Sequence, residues 1–118
     1  MTKQISPSLM CCNFFNLREQ IDDLKKSGVE YLHIDVMDGE FVPNYALGVD
    51  FIKQLKKYTD ISLDIHLMVN DANKKLEYIP FGDGDIVSVH YESTSKLKTV
   101  LDSIKKTGAK AFLAISPD

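Results

Sequence analysis

The chain has 118 residues, of which 44% are hydrophobic and 26% charged, and its formal net charge is −3. This length and composition predict one small globular domain and exclude a disordered chain. The negative charge and the lack of a basic stripe argue against nucleic-acid binding, and no apolar run reaches the about 20 residues that span a membrane.

Apolar segments typical of strands alternate with segments of helical periodicity along the chain. The predicted strands are residues 5–9, 31–36, 61–69, 86–90 and 111–115, and four helices lie between them. We expect Asp71 to cap the third helix, and Ser93 or Thr94 to begin the fourth. Such alternation predicts a parallel sheet covered by helices. Periodicity alone fits both an open doubly wound sheet and a (β/α)8 barrel.

The cysteines and the N-terminus indicate the cellular compartment. The only cysteines, Cys11 and Cys12, are adjacent, and the geometry of a disulfide between neighbouring residues is strained. The N-terminal residues lack the apolar core of a signal peptide. We therefore expect reduced thiols and a cytoplasmic protein that does not associate with membranes.

Two short segments place histidine and aspartate on one face of the predicted sheet. His33 and Asp35 are two residues apart on the second predicted strand, and Asp64 and His66 are two apart on the third. Residues i and i+2 of a strand point the same way, so two neighbouring strands form a cluster of imidazoles and carboxylates. A single buried histidine is more often a core residue, but this clustering favours a divalent-metal site. Asp64 is either a ligand or a supporting carboxylate, and Asp38 is expected to shape the turn before Gly39.

Five segments of the chain resemble the signature of the ribulose-phosphate 3-epimerase family. They are residues 31–44 (YLHIDVMDGEFVPN), 6–10 (SPSLM), 64–69 (DIHLMV), 90–92 (HYE) and 113–117 (LAISP). The sequence that begins at Ser8, Ser-Leu-Met-Cys, more closely resembles the branch of the family that acts on allulose 6-phosphate. This resemblance implies a (β/α)8 barrel. We expect residues 1–118 to be its N-terminal half, one incomplete domain with strands one to five and helices one to four.

The resemblance also implies a reaction and a metal site. Members of the family invert carbon 3 of a ketose phosphate, here ribulose 5-phosphate or allulose 6-phosphate, through an enediolate. By resemblance, His33, Asp35 and His66 ligate one divalent ion, which the donor set leaves open as Zn, Fe, Mn or Co. Asp35 is also expected to be one of two carboxylates that transfer protons, and His66 to face the substrate.

Further residues are assigned to the pocket by the same resemblance. Ser8 is expected to contact the substrate. Met37 and Met68 are expected to line the site with polarisable side chains, although plain core positions remain an alternative for both. His90 and Glu92, at the end of the fourth predicted strand, are expected to surround the site without ligating the metal.

The resemblance finally implies that parts of the active site lie outside these residues. The second proton-transfer carboxylate, which is also the fourth ligand, belongs to the seventh barrel strand, and the phosphate-binding residues follow strands six to eight. We therefore expect the 118 residues alone to be inactive, and their unpaired sheet edges to favour a homo-oligomer. The alternative is a non-catalytic barrel remnant that acts as a binding or assembly module.

Overall fold

The structure, a computed structural model, describes residues 2–117. Its helices are α1 (Leu17–Lys26), α2 (Val49–Tyr58), α3 (Ala72–Lys75) and α4 (Leu97–Lys106). Its strands are β1 (Tyr31–Asp38), β2 (Tyr45–Ala46), β3 (Ser62–Met68), β4 (Ile86–His90) and β5 (Lys110–Ala114). Among these helices, none combines the length and the apolar character needed to cross a membrane.

The strands form one sheet in the order β2-β1-β3-β4-β5. β1, β3, β4 and β5 are parallel neighbours in chain order, and the short β2 pairs antiparallel with the end of β1. A doubly wound sheet reverses its strand order at a switch point, whereas the strands of a (β/α)8 barrel follow one another in chain order. The continuous order favours the barrel arrangement. The predicted α/β class, with a mostly parallel five-stranded sheet and four helices, is confirmed.

The first predicted strand, residues 5–9, is wrong as a regular strand. The segment lies beside β1 but forms only an isolated bridge, between Ser8 and His33. The carbonyl of Pro7 accepts a hydrogen bond from the His33 N–H at 2.9 Å, but proline has no N–H to donate back to β1, and this shortens the ladder. The observed sheet still has five strands, because it includes β2, which the sequence does not predict. The two residues of β2 are too few to show an alternating pattern.

Two predicted helix starts also differ from the structure. Asp71 precedes α3 as expected, but its backbone is left-handed (φ 54°) and its carboxylate pairs with Lys74 at 2.8 Å instead of capping the helix. The fourth helix begins at Leu97 rather than at Ser93 or Thr94. The Thr94 hydroxyl accepts a hydrogen bond at 3.0 Å from the backbone N–H two residues later, which forms a turn before the helix.

The helices cover one face of the sheet. Side chains alternate between the two faces along each strand, so every second residue of β1 and β3 points toward the helices. The buried residues at this interface are Leu32, Ile34, Val36, Leu63, Ile65, Leu67, Val87 and Val89 of the strands, with Ile21, Ile52, Leu55, Val100 and Ile104 of the helices. Burying each such side chain contributes about 1.5–3 kcal/mol. This packing fixes which residues of each strand face the helices and therefore which residues point to the opposite face.

A buried carboxylate ties the strands together at their N-terminal ends. Asp85, which is 2% exposed, accepts the N–H of Leu63 at 2.9 Å and that of Gly82 at 3.0 Å. It also forms an ion pair with Lys56 of α2. A buried carboxylate is costly unless it is paired and hydrogen-bonded, and these contacts meet both conditions.

The β5 edge of the sheet exposes apolar side chains. Phe112 is 50% exposed and Leu113 is 47% exposed, and Ile115 just beyond the strand is 71% exposed. Within residues 2–117, no further strand pairs with the outer side of β5. An apolar edge of this kind favours association with another strand.

Candidate metal centre

The sheet face opposite the helices carries the polar residues predicted for the site. β1 presents His33 and Asp35 on this face, and β3 presents Asp64 and His66. The two strands are parallel, with His33 opposite Asp64 and Asp35 opposite His66. The period-two alternation of two neighbouring strands therefore brings both His/Asp pairs together.

Three of these residues direct ligand atoms toward one point. Asp35 Oδ1 lies 3.1 Å from His33 Nε2 and 3.2 Å from His66 Nδ1, and one ligand atom from each residue lies within 4.8 Å of the other two. Two ligands of a tetrahedral ion, each about 2.1 Å from it, are about 3.4 Å apart. The three side chains therefore fit a divalent ion with small shifts, and two imidazoles with one carboxylate suit Zn, Fe, Mn or Co.

His33 is oriented by Asp64, which lies on its far side. His33 Nδ1 is 2.8 Å from Asp64 Oδ2, and the same oxygen accepts a hydrogen bond from Ser6 Oγ at 2.9 Å. An ionised carboxylate only accepts, so His33 Nδ1 carries a hydrogen and Nε2 faces Asp35. Carboxylates commonly orient metal-binding histidines in this way. The structure places Asp64 behind His33, away from the point where the ligand atoms converge.

The two histidines differ in how readily they hold a proton. The hydrogen bond to Asp64 raises the pKa of His33, against the lowering effect of burial. Burial lowers the pKa of His66, and the neighbouring His90 lowers it further. Burial raises the pKa of Asp64, but hydrogen bonds from His33 and Ser6 outweigh it and leave that pKa below its usual value. Near neutral pH, His66 is therefore a neutral imidazole, which is the form that binds metal ions.

The second nitrogen of His66 contacts another histidine, His90. Their Nε2 atoms are 2.7 Å apart, and the His90 side chain is 10% exposed. His90 Nδ1 lies 3.4 Å from Glu92 Oε2 and 3.4 Å from Ser116 Oγ, and the Phe41 ring packs against the His90 ring. His90 and Glu92 therefore lie near the site, as the sequence analysis expects. Phe41 and Ser116 lie within segments that resemble the family, but the sequence assigns neither a role, because both lie in loops whose paths do not follow from strand alternation.

The remaining predicted site residues surround Asp35. Ser8 Oγ donates a hydrogen bond to Asp35 Oδ2 at 3.3 Å. Met37 and Met68 are opposite each other at the C-terminal ends of β1 and β3, and both are partly buried. Asn44 Nδ2 contacts Met37 Sδ at 3.7 Å. The structure thus gathers Ser8, Met37 and Met68 on the same sheet face as the convergent ligand atoms.

The loop after β1 is held by Asp38. Its Oδ1 accepts the N–H groups of Glu40 and Phe41, each at 2.9 Å, which confirms the turn predicted at this position. Its Oδ2 accepts the Asn70 N–H at 2.8 Å and the Lys75 ammonium at 2.6 Å. Burial raises the pKa of Asp38, but these hydrogen bonds outweigh it and hold the pKa far below its usual value. Asp38 thereby links the segments that follow β1 and β3 at the mouth of the site.

Comparisons with known proteins identify the family of this chain. The model of the ribulose-phosphate 3 epimerase family matches residues 4–118. The chloroplastic ribulose-5-phosphate-3-epimerase of Arabidopsis thaliana is 39% identical over 115 residues, which cover 96% of this chain and 41% of the relative. The ribulose-phosphate 3-epimerase of Bacillus subtilis is 35% identical over 114 residues, which cover 97% of this chain and 52% of the relative. That of Methanocaldococcus jannaschii is also 35% identical, with 48% of the relative covered.

The chain therefore spans about half the length of the curated relatives it matches. The family model nevertheless matches nearly every residue of the chain, and it includes both strands that carry the convergent ligand atoms. This chain belongs to the ribulose-phosphate 3-epimerase family.

Proposed function

We propose that this chain forms the metal-binding half of an enzyme that inverts carbon 3 of a ketose phosphate, ribulose 5-phosphate or allulose 6-phosphate, through an enediolate. The observation that carries the proposal is the convergence of His33 Nε2, Asp35 Oδ1 and His66 Nδ1. The names of the matched relatives, ribulose-phosphate 3-epimerases, support the same reaction class.

The chemistry requires a proton to leave one face of carbon 3 and another to arrive at the opposite face. Asp35 is proposed as one of the two proton carriers. Its carboxylate lies on the open sheet face and is 15% exposed, whereas Asp64 is held by His33 and Ser6. When a divalent ion is bound, it supplies the Lewis acid that stabilises negative charge on the substrate oxygens.

Four residues are proposed to bind and shield the substrate. The Ser8 hydroxyl, which donates to Asp35, both orients that carboxylate and offers a polar contact to the sugar. Met37 and Met68 form an apolar, polarisable wall beside it, which excludes water from the reacting carbon. His66 completes this set, as one ring edge faces Asp35 on the open side of the sheet.

Residues 2–117 supply one proton carrier in this proposal, and inversion needs two. We propose that the second carboxylate and the phosphate site come from a complementary half-barrel, since the relatives are about twice as long as the matched region. The 118 residues alone are then expected to give negligible turnover of either sugar phosphate.

The first experiment measures metal content. After equilibrium dialysis against Zn²⁺, the wild-type chain is expected to retain one ion, while His33→Ala and His66→Ala lose it. Lys98→Ala is the control, because Lys98 is exposed on α4 and pairs only with Asp102 among the described contacts. If all four proteins retain equal zinc, the proposed metal centre is wrong.

The second experiment measures epimerisation. The chain is fused to the C-terminal half of the Bacillus subtilis relative, which extends beyond the region that this chain matches. With metal bound, the hybrid is expected to invert ribulose 5-phosphate or allulose 6-phosphate, and Asp35→Asn to abolish turnover while zinc content is measured in parallel. A folded, zinc-loaded hybrid that inverts neither sugar contradicts the reaction and favours the binding or assembly module.

A further inference from the structure

A chain of polar contacts leads from His66 to a carboxylate at the edge of the site. His66 Nε2 is 2.7 Å from His90 Nε2. A hydrogen bond between two imidazole nitrogens requires one to donate and the other to accept. The hydrogen between these rings therefore determines which nitrogen of His66 keeps its lone pair.

Glu92 biases the direction of this hydrogen bond. Its Oε1 accepts the Ser116 N–H at 2.8 Å, which anchors the carboxylate, and its Oε2 lies 3.4 Å from His90 Nδ1. The same nitrogen lies 3.4 Å from Ser116 Oγ, but a hydroxyl can donate or accept and imposes no direction. A carboxylate only accepts, so it favours a hydrogen on His90 Nδ1. With its hydrogen on Nδ1, His90 accepts at Nε2, and His66 donates from its own Nε2. The lone pair of His66 is left on Nδ1, the nitrogen that faces Asp35 at 3.2 Å.

We infer that Glu92 and His90 are positioning residues that hold His66 with its hydrogen on Nε2 and its Nδ1 lone pair available to a divalent cation. This inference rests on the proposed metal centre. It gives the two histidine ligands opposite tautomers, because Asp64 holds the hydrogen of His33 on Nδ1 and leaves Nε2 for the cation. Mutation of residues that hydrogen-bond to a metal-binding histidine typically changes the metal affinity about 10–100-fold.

Asp35 acts against this arrangement when no cation is bound. Its Oδ1 lies within reach of His66 Nδ1 and attracts a hydrogen to that nitrogen. The Glu92–His90 pair offsets this attraction, because moving the hydrogen to His66 Nδ1 turns a lone pair of His90 toward the Glu92 carboxylate. The Glu92–His90 pair therefore reduces the need to move a hydrogen from His66 Nδ1 before a cation binds.

Glu92→Gln is the decisive substitution because it keeps the size of the side chain. If the amide oxygen of the variant side chain stays on the Ser116 N–H, its NH₂ group faces His90 Nδ1 as a donor, which reverses both tautomers. We expect the dissociation constant for Zn²⁺, measured by competition with a chelator, to rise about 10–100-fold. Glu19→Gln, at an exposed position of α1, is the matched control and is expected to bind as wild type.

A double-mutant cycle separates this effect from the loss of a negative charge. In a His90→Gln background, the introduced amide can turn either its oxygen or its NH₂ group toward His66, and no imidazole passes the preference of residue 92 on to that contact. Glu92→Gln is therefore expected to change the dissociation constant by less than about threefold in this background. If Glu92→Gln acts only by removing a negative charge, it weakens zinc binding equally in the wild-type and His90→Gln backgrounds. ¹⁵N NMR of the zinc-bound wild-type chain is expected to show His66 bound through Nδ1 and protonated on Nε2.

The outcomes distinguish this inference from the proposed function. If His33→Ala and His66→Ala abolish zinc binding but Glu92→Gln does not weaken it, the inference alone is wrong. Equal weakening in both backgrounds, or ligation through His66 Nε2, also overturns it. If His33→Ala and His66→Ala leave zinc binding intact, the proposed metal centre fails and the inference fails with it. Circular dichroism of each variant checks that it is folded.

Discussion

Replacement of Asp38 by Asn tests whether charged hydrogen bonds hold the loop at the mouth of the site. The carboxylate accepts four hydrogen bonds of 2.6 to 2.9 Å, two on each oxygen. An amide keeps one acceptor oxygen and turns its NH₂ group toward two donors. Hydrogen bonds to a charged group contribute about 1.5–3 kcal/mol each, and the Lys75 partner is partly hydrated. We therefore expect the free energy of unfolding to fall by about 2–3 kcal/mol in a urea titration near neutral pH.

The pH dependence of this loss has a definite sign. The pKa of Asp38 is strongly lowered in the folded chain, whereas an unfolded Asp has a pKa of about 3.9. The stabilisation is therefore complete above about pH 5 and is lost as the pH falls below about 4 toward the folded-state pKa. The difference between wild type and Asp38→Asn is expected to shrink over that acidic range.

A matched control makes the result interpretable. Asp102 forms an exposed ion pair with Lys98 on α4 at 2.6 Å, and exposed pairs of this kind contribute little. Asp102→Asn is therefore expected to unfold like wild type. Equal losses for the two Asn variants, or a loss for Asp38→Asn that is unchanged at about pH 3, would refute the reasoning.

Three further predictions concern the core, the metal and the sheet edge. Asp85→Ala leaves two backbone N–H groups without their acceptor, so urea titration should show a loss of about 2–3 kcal/mol; an unchanged midpoint contradicts this role. Zn²⁺ should raise the melting temperature of wild type but not of His33→Ala or His66→Ala, because the ion binds the folded state; equal shifts contradict the site. Phe112→Lys should reduce self-association in size-exclusion chromatography with light scattering, and a monomeric wild type contradicts the expected homo-oligomer.

Much of the fold was predictable because its inner strands are buried on the helix side. Residues 31–36, 61–69 and 86–90 were predicted from their apolar runs, and they correspond to β1, β3 and β4. The prediction failed at residues 5–9, where Ile5 and Leu9 suggest a strand but Pro7 removes a ladder hydrogen bond. Local composition identifies the inner strands, whereas the number of ladder hydrogen bonds depends on neighbouring segments that composition does not identify.

The proposed ligand set was predictable only in part, because it depends on register. Alternation placed His33 with Asp35 and Asp64 with His66 on one face, but it left Asp64 as either ligand or support. The observed register sets Asp35 opposite His66, and Asp64 opposite His33. A shift of β3 by two residues would place His66 opposite His33 or, in the other direction, Asp64 opposite Asp35, and every core residue would still face the helices. Register describes how the residues of two strands pair, so it cannot be predicted from the sequence of either strand alone.

The core therefore determines the geometry of the site from the opposite side of the sheet. Ile34 lies between His33 and Asp35 in the chain, and Ile65 lies between Asp64 and His66; both isoleucines are fully buried against the helices. Because close-packed side chains tolerate little displacement, the same packing that stabilises the sheet holds Asp35 Oδ1 within 3.2 Å of both imidazoles. The contacts of His90 and Glu92 arise differently, since they depend on a strand end and on a loop. For this reason the proposed histidine and aspartate ligands were visible as a sequence pattern, while the hydrogen bonds that orient them required the three-dimensional structure.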